Sequence, residues 1–456
     1  MTRTDATARD AAARDAAARD ATARDAAARL IGEYLDECRR RGVRGEVRVV
    51  EERREEFVAR NGTVESEGVT ADAAVGLTVG DGEHRAMLAA GTGLDAATAV
   101  TEALALLERA GGGTGPVAPA PERPAERTWP GRTTAPLADH HGALVRRSVL
   151  PEARECEVRA LQVRRTLHHA TPEHAFSTPT THASIVLRAT LTGADGAAVH
   201  VDRAESGPSA EFLLRRFDEH MLRDARRQLL APEQPATGSL PGRVVLAGSV
   251  AAQLVCLLSE SLSAEAVEQG GSRLAGRLAE RVGAARVTVA DDPVHPAGPR
   301  HLPFDDEGAV AAARTLIDGG VLRGFLGSRA YAGADGAAAG NARQPEPTAP
   351  PRPGAANLYI RPGSRPPVVD VPTLRITQTH GMHLANGITG EFSTGATGLV
   401  DDGEKTWRVS GLSMSGNVLD LLHNVAGVGT ALSWSDDGES SFGSPDLWVT
   451  GLTIGR

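Results

Sequence analysis

Residues 374–422 constrain the fold of this chain more than any other stretch. They read LRITQTHGMHLANGITGEFSTGATGLVDDGEKTWRVSGLSMSGNVLDLL. Asn386-Gly387 and Thr389-Gly390 are turn signals, because Gly and Asn reach backbone conformations closed to most side chains. Alternating runs follow, Gly395 to Val400 and Thr406 to Val409, on either side of the charged turn Asp401-Asp402-Gly403-Glu404. Alternation broken by such a turn predicts a β-hairpin. The apolar run Val418 to Leu422 then has helical spacing, and Asn417 before it is the predicted N-cap. Its side chain can accept from an N–H that the helix leaves without a partner.

At 456 residues the chain exceeds one ordinary core and predicts two or three domains. Hydrophobic residues are 41% and aromatics 3%, so the cores are built from Leu, Val and Ala. A net charge of -9 argues against a nucleic-acid surface, which needs clustered positive charge. No apolar run reaches the length of a membrane span, and residues from Arg3 onward are charged without an apolar signal core. The expectation is a cytoplasmic protein with no nucleic-acid or membrane partner. Cys38, Cys156 and Cys256 are too far apart for a disulfide framework or a paired metal motif, and read as small buried hydrophobes or inert thiols.

Residues 6–30 repeat with a period of five, ATARD-AAARD-AAARD-ATARD-AAARL. Ala favours helix, and each Asp stands four residues before an Arg, a pairing worth roughly 0.2–0.5 kcal/mol. A five-residue period rotates by about 140° on a helix, so no apolar stripe forms. Residues 1–29 therefore read as a solvated helical extension. From Leu30, Ile31, Tyr34, Leu35 and Cys38 make an amphipathic face. Strands are predicted at 46–51, 57–60, 69–79 and 84–90, with hairpin signals at Asn61-Gly62 and Asp81-Gly82, then a helix over 94–110. A Gly/Pro/Ala-rich linker spans 111–136, further strands cover 157–165, 183–191 and 197–202, and a helix covers 211–230. Gly333 to Ala356, without apolar periodicity, reads as a mobile loop. His140-His141 and His168-His169 read as solvent-facing.

The block at Thr389-Gly390, Phe392-Ser393, Gly395-Ala396, Gly398, Gly403-Glu404, Val409 and Gly416-Asn417 resembles the C-terminal signature of the TldD/PmbA family. Gly276-Arg277-Leu278, the strand ending at Asp291-Asp292, and Phe304-Asp305-Asp306-Glu307-Gly308 are similar to further family elements. The run Val75 to Arg85 followed by a helix resembles the family's N-terminal domain. The resemblance implies an α+β protein: an N-terminal α/β layer domain with an antiparallel sheet at 30–240, and a C-terminal β-rich domain at 241–456.

The family's known activity is that of a zinc metallopeptidase made from two related subunits. Its catalytic branch carries HExxxH where this chain has Val255-Cys256-Leu257-Leu258-Ser259-Glu260. Valine cannot ligate a metal, Cys256 stands where the catalytic Glu would be, and Glu260 is alone. No cysteine follows Cys256, so the family's C-terminal cysteine ligand is missing too. His380 and His383 are the best candidates for a rebuilt site, and a lone HxxH beside glycines reads more simply as loop histidines.

This pattern resembles the non-catalytic PmbA, or TldE, branch. It implies a pseudoenzyme subunit with no catalytic residues and no metal of its own, with zinc in a TldD-like partner. The two would form a heterodimer or larger assembly that cuts an unstructured or precursor peptide. Thr389, Phe392 and Ser393 are the candidate peptide-binding residues, because Gly- and Thr-rich strands admit close backbone approach. Two alternatives stand beside this reading. One is a stand-alone peptide-binding or peptide-maturation protein without hydrolytic activity; the other is an enzyme with a site rebuilt around Cys256, His380 and His383. The family's older label, a modulator of DNA gyrase, finds no support in the acidic charge.

Overall fold

A computed structural model describes residues 25–80, 84–109, 134–192, 198–234, 238, 240–333, 336–344, 349–367 and 372–456, with the side chains of Glu219 and His383 excepted. Most of the Ala/Arg/Asp repeat, the Asp81-Gly82 turn and most of the linker at 111–136 lie outside these residues. In chain order the N-terminal half has α1 (25–40), β1 (Arg44–Arg60), β2 (Thr63–Gly80), β3 (Arg85–Gly91) and α2 (Ala96–Arg109). It continues with α3 (His141–Arg147), β4 (Glu155–Ala170), β5 (Ala175–Thr192), β6 (Ala198–Gly207), α4 (Ala210–Arg216) and α5 (Arg223–Leu230). The six strands form one antiparallel sheet in the order β3-β2-β1-β4-β5-β6. Asn61 and Gly62 turn β1 into β2 with φ of 47° and 81°, the left-handed pair that a two-residue hairpin needs.

β1 is one strand of 17 residues where the hydrophobic pattern predicts two. The run Glu51-Glu52-Arg53-Arg54-Glu55-Glu56 breaks the apolar alternation, yet it lies between β2 and β4 in the ladder. Its charges are met locally: Arg54 pairs with Glu52, Arg53 with Glu55, and Glu55 accepts the Leu137 N–H. His168 and His169 are not solvent-facing. They sit in β4, buried, with His168 bonded to Ser177 and Glu51 and His169 to Glu46 at 2.9 Å. His141 is half-buried, stacked on Phe57 at 3.9 Å. Ala27, within the repeat, is 3% exposed and joins the core under β1 and β2, so burial begins before Leu30. The predicted helix at 211–230 is a continuous helical run with a π-turn at Phe217–Leu222 and Ser209 as its N-cap, accepting from Phe212.

The C-terminal half contains β7 (Val244–Leu246), α6 (Gly248–Ser261), α7 (Ala264–Glu268), β8 (Val289–Asp291), β9 (Arg314–Asp318) and β10 (Val321–Leu322). Then come β11 (Ala342–Arg343), β12 (Arg352–Pro353), β13 (Asn357–Ile360), β14 (Thr373–His380), β15 (Glu391–Asp401), β16 (Thr406–Asn417) and α8 (Val418–His423). The chain ends with β17 (Val425–Val428), β18 (Ser433–Asp436), β19 (Ser441–Ser444), β20 (Leu447–Val449) and β21 (Thr453–Gly455). A seven-stranded sheet runs β17-β20-β7-β14-β15-β16-β21, and a six-stranded sheet runs β10-β9-β8-β13-β19-β18. Both sheets and α6 contribute to one apolar core. Asn417 caps α8 as expected, accepting from Leu419 at 2.9 Å. Gly451, at φ 77°, separates β20 from β21.

The halves meet around Phe304-Asp305-Asp306-Glu307-Gly308. Phe304 stacks on Phe176 of β5 at 4.2 Å. Asp305 accepts three backbone N–H groups, from Glu307, Ala309 and Ala342. Asp306 binds Arg165 of β4 and Arg343 of β11, and Glu307 accepts from the Arg329 backbone. Gly308 has φ 75°, and a Cβ there would stand 2.6 Å from His169 Nε2. The described residues 341–344 and 352–353 of the predicted mobile loop are therefore held in place: Asn341, Ala342 and Gln344 bond to Asp291, Asp305 and Asp306, and β11 pairs with β12. Buried carboxylates hold this segment, so it needs no apolar periodicity.

Candidate functional site

α6 is apolar nearly all round because it lies in the core between sheets. Its N-terminus is held by Asp446, which accepts the Gly248 N–H at 2.9 Å and pairs with Arg375. One strip of the helix is open: Gln253, Cys256, Leu257 and Glu260, at i, i+3, i+4 and i+7, line a cleft of about 820 Å³. The facing wall is the connection from β14 to β15, with Met382, Leu384 and Ile388, and Asp437 closes one end. Gly387 packs against Glu260, and a Cβ there would come within 2.7 Å of its Cγ.

The positions read as a degenerate zinc motif separate on this helix. Val255 is 2% exposed and packs into the core, while Cys256 and Glu260 face the cleft. Burial, then Asp437 and Glu260, push the Cys256 thiol up to about 12, which suppresses the thiolate. Asp437 is raised as well, chiefly by burial. His380 bonds Thr397 through Nε2 at 3.3 Å, while its neighbour Thr379 reaches Gln253 of α6 at 2.8 Å. Adjacent strand residues point to opposite faces, so His380 is not assembled with Cys256. The side chain of His383 is outside the described set. Among the described residues no three His, Cys, Asp or Glu form a group that could hold a metal ion. Val255 lies in the core, and of the three motif positions only Cys256 and Glu260 reach the cleft, so these positions do not fit the tetrahedral zinc site that the resemblance implies.

A second groove of about 640 Å³ adjoins the cleft and shares Leu384, Ala385 and Asn386 with it. Phe392 and Ser393 line it. Phe392 is buried and belongs to the core, whereas Ser393 is exposed. Thr389, the third candidate, does not line the groove, and its backbone oxygen is taken up in accepting from Asn417 and Arg273. β15 is paired on both sides from Gly395 to Asp401, while residues 391–394 lie beyond the end of the β14 ladder. The 391–394 edge is therefore free of a β14 partner, although the Glu391 oxygen already accepts the Asn386 N–H at 2.9 Å. Sequence reasoning missed Leu384 and Ile388, which are 79% and 58% exposed on the rim between the two hollows. The available signal was two apolar residues inside a Gly/Asn-rich turn. Asn386 fixes that turn by accepting from Ile388 and Thr389 N–H groups.

Residues 239–456 match the family described as the PmbA/TldA metallopeptidase C-terminal domain. A metalloprotease of Archaeoglobus fulgidus is 32% identical over 219 residues, covering 42% of this chain and 45% of that protein. A metalloprotease of Methanothermobacter thermautotrophicus is 33% identical, covering 38% of this chain and 39% of its own length. The chain thus spans less than half the length of the curated relatives it matches. Over the whole fold, a Thermotoga maritima structure described as a modulator of a DNA gyrase superposes with a TM-score of 0.76 at 22% identity, covering 95% of this chain and 100% of that one. TldE from Thermococcus kodakarensis superposes with 0.72 at 16% identity, covering 93% and 100%. Residues 239–456 thus resemble the C-terminal domain of that family in sequence, and both halves of the chain share the fold of these solved structures.

Proposed function

We propose that this chain is a PmbA/TldE-like subunit without a zinc site of its own, which pairs with a zinc-bearing TldD-like subunit to cut unstructured or precursor peptides. The observation that carries the reading is position 255: the helix that would present the zinc motif turns a valine into the core and opens only Gln253, Cys256, Leu257 and Glu260 to the cleft. The likeness in fold to TldE supports the same branch. In this reading the zinc supplies water activation inside the partner, and this chain shapes the chamber and grips the peptide backbone.

The test is reconstitution. The purified chain is expected to bind no stoichiometric zinc and to leave an unstructured peptide intact. Mixed with a TldD-like subunit from the same organism, it is expected to form a complex that degrades the peptide, and the partner's HExxxH variant abolishes this. Cleavage by the chain alone, or cleavage that survives the partner's variant, would place the catalysis here and overturn the reading. Tight peptide binding with no complex and no turnover would favour the stand-alone peptide-binding alternative.

A further inference from the structure

The α6 cleft joins apolar walls to a negative end. Leu257 and Phe442 line it from the core, and Met382, Leu384 and Ile388 line it from the facing wall. Its two charged lining side chains, Glu260 and Asp437, are both carboxylates, and no Arg, Lys or His side chain among the described residues lines it. Glu260 is exposed and makes no ion pair or hydrogen bond among the described residues. Asp437 gives one oxygen to the Glu439 and Ser440 backbone N–H groups, at 2.9 and 2.7 Å.

Neither carboxylate is neutralised from nearby. Arg300 is not free to pair with Asp437, because both oxygens of Asp436 hold its guanidinium at 2.7 and 3.0 Å. Arg352 stands 3.6 Å from Glu439, the next carboxylate outward. Burial raises the Cys256 thiol and, against Arg352, the Glu439 carboxyl; Asp437 and Glu260 add to both rises, so the two lining carboxylates act on one region. What the cleft lacks is a cation with an apolar stem, and Lys and Arg side chains combine those two parts. A bare metal ion is a poor match, since no three His, Cys, Asp or Glu converge among the described residues. The cleft also continues into the groove at Phe392 and Ser393 through Leu384, Ala385 and Asn386, which gives room for a chain on either side of one inserted residue.

We propose that the α6 cleft selects a Lys or Arg side chain of an extended peptide, with the stem against Leu257, Met382 and Leu384 and the charge met by Glu260 and Asp437. This rests on the proposed function in taking the ligand to be a peptide, and it adds the residue for which the peptide is chosen. A peptide without such a residue keeps the apolar contact alone.

The experiment uses the full chain without a partner. Fluorescence anisotropy follows the binding of labelled Gly/Ser-rich peptides that differ at one central position, which is Arg, Lys, norleucine or Glu. The Arg and Lys peptides are expected to bind about tenfold tighter than the norleucine peptide, which keeps the stem without the charge, and the Glu peptide is expected to bind weakest. Added sodium chloride should shrink the preference, because salt screens an exposed pair. Glu260→Gln/Asp437→Asn is expected to bring the basic peptides down to the norleucine level, and the new Asn can still accept the two turn N–H groups. Glu260→Lys, at an exposed position, is expected to turn the order round in favour of the Glu peptide. Equal affinity for the four peptides, a preference that both variants retain, or no binding of any peptide to the folded chain would overturn the proposal. Zinc, a partner subunit and cleavage enter none of these readouts. A failed reconstitution beside an intact basic preference overturns the proposed function alone, and equal affinities beside a working reconstitution overturn this inference alone.

Discussion

Arg165 Nη1 lies 2.8 Å from Asp306 Oδ1, joining the fourth strand of the N-terminal sheet to the C-terminal half. Asp306 also receives Arg343 at 2.5 Å and the Gln344 backbone N–H at 2.8 Å. Its carboxylate is buried, yet the two guanidinium groups hold its pKa below the usual range against the effect of burial. Asp306→Ala would leave Arg165 and the buried Arg343 without their counter-charge. The expected cost is roughly 3–5 kcal/mol in urea unfolding, the range for breaking one side of a buried pair. A loss below about 1 kcal/mol, the scale of a surface pair, would show that water replaces the carboxylate and that the joint is wet.

The adjacent carboxyl behaves in the opposite way. Burial, then Glu307, push Asp305 up to about 7, although three backbone N–H groups favour its charged form. A carboxyl whose folded pKa is raised binds its proton more tightly in the folded state. Its contribution is therefore fully present below the unfolded value, near 3.8, and is lost as pH rises through about 7. Stability measured by denaturant at pH 4 to 7 is expected to carry a falling component that Asp305→Asn removes. The comparison is the difference between the two proteins, because Glu46, whose pKa is lowered to about 2, contributes in the opposite sense. Parallel pH profiles for the two proteins would rule the assignment out.

Local signals were legible where chemistry is local. Asn61-Gly62 turns a hairpin, Asn417 caps a helix, and the Gly395–Val409 segment pairs as read, because each depends on residues within a few positions. The charged centre of β1 was not legible, since its extended form depends on β2 and β4 on either side. Residues 341–344 were not legible either, because aspartates 37 to 50 residues away hold them. At the candidate site, a valine at the position that the family resemblance gives to a zinc ligand is read directly from sequence. Which helix face points into the cleft is a matter of packing, and only the structure separates Val255 from Cys256 and Glu260.

That separation bears on reactivity. With its thiol pushed up to about 12, Cys256 holds roughly a thousandfold less thiolate at pH 8 than an ordinary cysteine. Alkylation by iodoacetamide in the native protein is expected to be slower by about that factor than in the urea-unfolded chain. The double variant Glu260→Gln/Asp437→Asn removes both neighbouring charges and should speed the reaction. Cys38 and Cys156 are buried, and peptide mapping distinguishes the three sites. Rapid labelling of native Cys256 would mean an activated thiol and would revive the reading of a rebuilt enzyme site.

The last prediction follows a peptide across the rim. Leu384 and Ile388 stand exposed between the α6 cleft and the groove at Phe392 and Ser393, and both hollows share Leu384 as a wall. Exposed apolar residues on a turn fixed by Asn386 hold a surface ready without an ordering step. Under the proposed function, an extended peptide lying beside residues 391–394 crosses Leu384 on its way to the cleft. Leu384→Asp is expected to raise KM for an unstructured peptide by about tenfold in the reconstituted complex, the effect of losing one buried apolar side chain. Ser393→Trp fills the groove from an exposed position and is expected to abolish turnover while the fold survives. Gel filtration with the partner subunit is the control, and both variants should still co-elute with it. If Leu384→Asp instead dissociates the complex, the rim is a subunit contact; if neither variant changes turnover, the peptide takes another path and these grooves do not carry it.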